Sequence, residues 1–256
     1  MSSSSASRQS QKSGPLRSVL EFAAVILIVI AGKTAIAEPF YVPSGSMEPT
    51  LLIGDELIAT KFTYGYGTAA LPSFLDLPIS GRVFASTPHR GDVVVFRWPG
   101  NTSQTWVKRV IGLPGDRITM RNGVVWINGK PATQTPDGMG QVEDESGQYT
   151  PARKLVETLP NGYKHLIYKM YDNGPLDNMP TVTVPPGHVF VMGDDRDDSA
   201  DSRVPLRDGG VGMLPVNNLV GRVQALIGSW NLAYTQKPIW TWASGLRPSR
   251  FFTAVH

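Results

Sequence analysis

Cysteine is absent from the 256 residues, which excludes disulfides, thiolate metal sites and a cysteine nucleophile, and leaves the compartment open. Histidine is scarce: His89, His165, His188 and His256 share no metal-binding spacing, so neither a metal centre nor any other cofactor is expected. Charge of one sign is lacking too, since the net charge is only +3 and no Lys/Arg-rich run occurs, which argues against nucleic acid as a partner. No internal repeat and no amphipathic helix after residue 40 can be traced. Pro (21) and Gly (26) are plentiful, and that points to many turns, as in an all-β fold.

One long apolar run is present. Residues 1–17 are Ser-rich and polar, which predicts a disordered tail. Residues 18–37 then provide roughly the ~20 residues that cross a bilayer as a helix, with Glu21 and Lys33 near the two ends where long side chains snorkel. A cleaved signal peptide ending at Ala35-Ile36-Ala37 is the competing reading. In either case the basic N-terminus faces the cytoplasm and residues 38–256 emerge on the other side.

Short strands follow, punctuated by turns: Glu56–Phe62, Asp92–Trp98, Gln104–Ile111, Arg117–Arg121, Val124–Asn128, Thr181–Val184, His188–Met192 and Leu219–Ile227. Asn122-Gly123 is a strong hairpin signal between two of them. The pattern predicts an all-β domain of mainly antiparallel strands, barrel-like or layered. Tyr64–Arg90 reads as a long loop, and residues 131–180 as an inserted sub-domain of weak patterning. In the tail, Trp230, Trp240, Trp242, Phe251 and Phe252 stand among Arg247 and Arg250, which suits a membrane interface as well as it suits packing.

Three segments carry candidate chemistry. Pro43-Ser44-Gly45-Ser46-Met47-Glu48-Pro49 sets two serines around a glycine between stiffening prolines, so that a hydroxyl is held at a fixed angle. Such a nucleophile needs a base, and no histidine sits in a motif. Lys108 lies on an apolar strand, where alternation places Trp106 beside it and Val107 and Arg109 on the other face. As a base it must titrate well below ~10.4, at a cost of roughly 3–4 kcal/mol in disfavoured charge that burial can supply. A surface lysine is the plain alternative. The third segment, residues 193–203, is densely acidic but lacks the order of an EF-hand, and Arg196 and Arg203 beside Asp197 and Asp201 point to internal Asp–Arg bridging that stiffens a loop.

Taken together, PSGSMEPTL (43–51), GDVVVF (91–96), KRVIGLPGD (108–116) and GDDRDDSADSR (193–203) resemble the bacterial type I signal peptidases. The resemblance implies Ser46 as nucleophile, Lys108 as general base, Ser44 as an oxyanion donor and Ser199 as a hydroxyl orienting Lys108. It implies cleavage of exported preproteins after Ala-x-Ala-like sites, shallow pockets near Phe40, Val42, Met47, Leu51 and Trp106, and a single-pass anchor in the inner membrane with the catalytic domain outside the cytoplasm. Signal peptides and membrane lipid are the implied partners, and a monomer is expected. Asp195 and Asp198 depart from the family's usual asparagines. Rival readings are a related Ser–Lys protease, such as a pilin-maturing enzyme, and an anchored β-domain that binds without catalysis.

Overall fold

The computed structural model describes residues 19–22, 25, 36–67, 69, 81–144, 147–234 and 236–255. The expected disordered tail, 1–17, lies outside them, as does most of the expected spanning segment. Val19–Phe22 and Val25 are helical, and among the described residues no helix is long and apolar enough to cross a membrane. The segment was expected to run through Ala37. Ala37 instead opens the first strand, because its backbone pairs with Thr60.

The body is all-β. β1 (Ala37–Tyr41), β2 (Asp55–Thr60), β3 (Val93–Arg97) and β4 (Thr105–Gly112) belong to one sheet, and β5 (Arg117–Arg121), β6 (Val124–Ile127) and β7 (Lys130–Pro131) to a second. β8 (Thr133–Glu143), β9 (Tyr149–Thr158) and β10 (Lys164–Lys169) make a third. The chain returns through β11 (Met179–Thr183) to the second sheet, and through β12 (His188–Met192), β13 (Leu214–Pro215) and β14 (Leu219–Ser229) to the first. The large sheet runs β1-β2-β14-β3-β4-β12-β13, the small ones β11-β5-β6-β7 and β10-β9-β8, and the pairings are antiparallel.

Local chemistry explains the elements. β3 is an unbroken Val-Val-Val-Phe run buried on both faces, since apolar clusters pack against either side of it. Val93 and Val95 face a cluster with Met47, Leu51 and Leu57, whereas Val94 and Phe96 face one with Val110 and Val191. Burying Phe96 alone stabilises by about 1.5–3 kcal/mol. Asn122 and Gly123 both take positive φ (48° and 78°), the geometry of the type I′ turn that joins β5 to β6. Asn128 and Gly129 repeat it before β7, at φ 53° and 79°.

Residues 131–180 were expected to pattern weakly. They hold the three-stranded sheet, whose apolar cluster of Val142, Ala152 and Tyr168 is small, and most of β8 and the start of β9 are wet, so alternation there is blurred. In the tail, packing accounts for most of the aromatic and basic residues. Trp230 meets Trp242 edge-on at 6.3 Å, Arg247 donates to the Ile53 carbonyl at 2.9 Å, and Arg250 pairs with Asp55 at 2.5 Å. Trp240 and Phe252 point outward.

Candidate active site

Residues 45–47 form one tight 3-10 turn after β1, and this turn carries Ser46 to the lip of a cleft of about 580 Å³. Gly45 is needed there because a Cβ would lie 2.9 Å from the Glu143 carbonyl of β8. Opposite stands β4, whose first half carries Lys108. The Lys108 Nζ lies 2.6 Å from Ser46 Oγ, and the residue is only 4% exposed. Its stem runs beside Trp106, the amine 5.7 Å from the ring centroid, on the strand face that alternation assigns to both.

Burial pushes Lys108 down to about 8, partly opposed by the carboxylates of Asp201 and Asp194. Both of those carboxylates are already bound to arginines, which limits their pull on the amine. Asp201 takes Arg203 at 2.9 and 2.8 Å through both oxygens, and Asp194 takes Arg109 at 2.8 and 2.7 Å. A neutral amine is therefore accessible near physiological pH. That is the condition for a lysine to accept a proton from serine.

Arg109 is the neighbour of Lys108 on the opposite face of β4, and it is fully buried. Besides Asp194 it reaches the Gly91 carbonyl at 2.8 Å and Thr50 Oγ1 at 3.2 Å, while Thr50 donates to Asp194 at 2.5 Å. Strand, serine loop and acidic loop are thus tied together behind the dyad. Alternation foretold the side of β4 on which Arg109 lies, but nothing in the sequence named its partners.

The acidic loop is a scaffold, though not wired as the sequence suggested. Arg203 does bridge internally to Asp201. Arg196 pairs instead with Glu157 of β9, and Asp197 takes Lys169 Nζ at 2.7 Å with the backbone N–H groups of Met170 and Tyr171. The reason is burial: Arg196 is 1% exposed, and the carboxylate available inside the protein comes from another strand. Although burial pushes Glu157 up, Arg196 and the His165 hydrogen bond hold it well below the usual carboxylate range. His165 is thereby absorbed into this network, and among the described residues no cluster fits a metal.

Of the other expected residues, Ser44 lies beside Ser46, its Oγ 3.5 Å from Ser46 Oγ. Ser199 is not seen orienting the lysine. Its buried Oγ makes no hydrogen bond among the described residues, because the amine is turned onto Ser46. Phe40 and Trp106 line the cleft as expected, but Val42, Met47 and Leu51 do not. Those three are at most 1% exposed within the core cluster under β1 and β2, their apolar bulk drawn away from water. Tyr41, Leu57, Val95, Val107, Glu143, Asp144, Asp198 and Ala200 complete the walls, and they come from strands and loops that no local motif connects.

Gly193 sits under the site, where a Cβ would lie 2.4 Å from the Ser46 carbonyl and 2.2 Å from Ser199 Oγ. Gly193→Ala is expected to shift the Ser46 backbone and lower kcat/KM about 100-fold, since a displacement of ~1 Å has that cost. Peptide cleavage by the purified variant at wild-type levels would contradict this.

Comparison with known proteins agrees with the geometry. Residues 16–230 match the family described as Signal peptidase, peptidase S26. The chain belongs to this family. Signal peptidase I of Rickettsia typhi is 38% identical over 254 residues, which span 92% of this chain and 92% of that one. Signal peptidase I of Rickettsia prowazekii is 39% identical over 255 residues, with the same coverage of both. A crystal structure of a signal peptidase I from Enterococcus faecalis V583 is 25% identical, covers 54% of this chain and 97% of its own, and has a TM-score of 0.31, too low to compare the folds in detail.

Proposed function

We propose that the chain is a signal peptidase I, a serine endopeptidase that removes signal peptides from exported preproteins with Ser46 as nucleophile and Lys108 as general base. The observation that carries this reading is the dry lysine amine 2.6 Å from the serine hydroxyl. Neutral Lys108 takes the Ser46 proton as Oγ attacks the scissile carbonyl carbon, and then returns it to the leaving amine. Water hydrolyses the acyl-enzyme, with Lys108 again as base. The Ser44 hydroxyl and the Ser46 N–H donate to the oxyanion, a contribution worth about 3–4 kcal/mol per donor elsewhere.

The substrate enters as an extended strand. β12 pairs with β4 only over Arg109–Gly112, so the stretch Thr105–Lys108 pairs with β3 on one side alone and leaves an edge along the cleft. An added peptide strand hydrogen-bonds to that edge and brings its scissile carbonyl to Ser46. The shallow walls about Phe40 and Leu57 favour small side chains such as alanine.

Ser46→Ala is expected to abolish processing of a preprotein with an Ala-x-Ala site, as followed by gel shift. In the wild type, kcat/KM should rise with pH to a plateau with an apparent pKa of about 8, because only uncharged Lys108 accepts a proton. A rate still climbing at pH ~10 would mean that the amine is unperturbed.

The anchor belongs to the same proposal. Ser46 lies nine residues beyond Ala37, so a retained apolar segment that ends before β1 holds the nucleophile at the outer membrane–water boundary, where signal peptides end. Mass spectrometry of the protein purified from membranes is expected to find residues 1–37 still attached. An N-terminus at Glu38 rules the anchor out.

A further inference from the structure

The acidic loop contains one carboxylate with nothing to hold. Asp194 has Arg109, Asp195 accepts the N–H groups of Asp197 and Asp198, Asp197 has Lys169, and Asp201 has Arg203. Asp198 is exposed, and among the described residues its carboxylate accepts no hydrogen bond and forms no ion pair, yet it lines the cleft with Ser46 and Lys108. Its backbone N–H is fixed by Asp195 Oδ1 at 3.1 Å, so this charge is held at the cleft wall and does not swing on a loose loop.

Asp195 and Asp198 stand on the same loop, and they behave differently. Asp195 is buried, and burial pushes its carboxyl up to about 7, so near neutrality it is about half protonated. Asp198 is exposed at the cleft wall. Glu143 and Asp144 line the same cleft, and Glu143 is partly answered by Arg247 at 3.7 Å. In the active form, with Lys108 uncharged, no other cation among the described residues lines the cleft to balance Asp198.

We infer that Asp198 is a specificity-determining residue that selects substrates with a lysine or arginine side chain next to the scissile bond. This rests on the proposed peptidase reading of the same cleft and names a substrate class for it. A cation placed there gains an ion pair with Asp198 that is formed in the bound peptide and absent in water, and an acidic side chain meets repulsion.

The test uses the full-length protein in detergent and a set of otherwise identical peptides that carry Lys, Ala or Glu in turn at each of the three positions before and two after the cleaved bond. The readout is the ratio of kcat/KM for the Lys and Ala peptides within each enzyme, with the Glu peptide expected to fall below Ala, so any general loss of activity in a variant cancels. At one position at least, the wild type should prefer Lys over Ala by about three- to five-fold, near the upper end for one exposed ion pair. Asp198→Asn should bring the ratio to about one, Asp198→Glu should keep it, and 0.5 M NaCl should shrink it. A wild-type ratio near one at every position, or a preference that survives in Asp198→Asn, overturns the inference. The two readings fail separately: if Ser46→Ala still cuts the Ala peptide the peptidase assignment is wrong, whereas cutting that needs Ser46 but ignores charge sinks the Asp198 inference alone.

Discussion

Lys108→Met is expected to be inactive and, at neutral pH, more stable than the wild type. Loss of the base should lower kcat/KM on the order of 10⁴-fold, the upper range for a positioned general base. The stability change follows from linkage. In the unfolded chain the amine titrates as a free lysine, near 10.5, and in the folded chain burial brings it to about 8. Between those values the unfolded state binds more protons, so wild-type stability rises with pH across that window. Below pH 8 the charged amine opposes folding fully, by about 3 kcal/mol. Methionine fills similar space without the charge, so the variant should gain about 2–3 kcal/mol at pH 7, less the Ser46 hydrogen bond of about 1 kcal/mol. The gain should fade as pH rises from 8 to 10.5. Urea denaturation at pH 7 and pH 10 measures both limbs. A variant less stable than the wild type at both pH values would mean that the amine is neither dry nor disfavoured, and the base assignment would lose its basis.

Arg109→Met has the opposite signature, a large loss of stability. Its guanidinium is fully buried against Asp194, Thr50, Gly91 and the Tyr163 hydroxyl. Removing it strands the Asp194 carboxylate, also 1% exposed, in a site that water does not reach. Breaking one half of such a pair costs about 3–5 kcal/mol. The double variant Arg109→Met with Asp194→Leu removes both charges, and it should recover part of that loss because no uncompensated charge remains. Thermal unfolding of the three variants checks this. Equal destabilisation by the single and double variants would show that the pair contributes packing and not charge compensation.

Both experiments bear on how the serine is held. The proposed chemistry needs only Ser46 and Lys108, but the geometry of that pair is set by neighbours behind it. Thr50 and Asp194 anchor the serine loop from one side, and Gly193 passes beneath it with no room for a side chain. The amine remains dry because Trp106 and the core of the large sheet surround its stem.

Much of this was readable from local sequence. β-branched runs and turn residues located β2 to β6, β11, β12 and β14 to within a residue or two, because a strand buried on at least one face must show that face in its composition. Alternation along β4 separated Lys108 from Arg109 for the same reason. What the local pattern missed was of two kinds. β8 and the start of β9 were not seen because wet faces impose little on their residues, and β8 even contains Pro136 and a bulge before Met139, whereas β10 is mostly buried but includes His165 and Lys169 among its buried residues. Met47, Leu51 and Val42 were expected at the cleft, since a hydrophobic residue beside a nucleophile looks the same in sequence whether it turns outward to a substrate or inward to the core. Burial made that choice, and it chose the core.

By itself the sequence determined the fold class, the strand that carries the lysine, the turn that carries the serine, and membership in a peptidase family, because each of these is written in short stretches of residue type and spacing. Only the tertiary structure decided that Ser46 and Lys108, 62 positions apart, meet at 2.6 Å, that Arg196 answers Glu157 and not its own loop, and that Asp198 alone in that loop faces the cleft unpaired. Those outcomes depend on which buried charges find partners once the sheets close. That is a property of the assembled interior, and no single segment carries it.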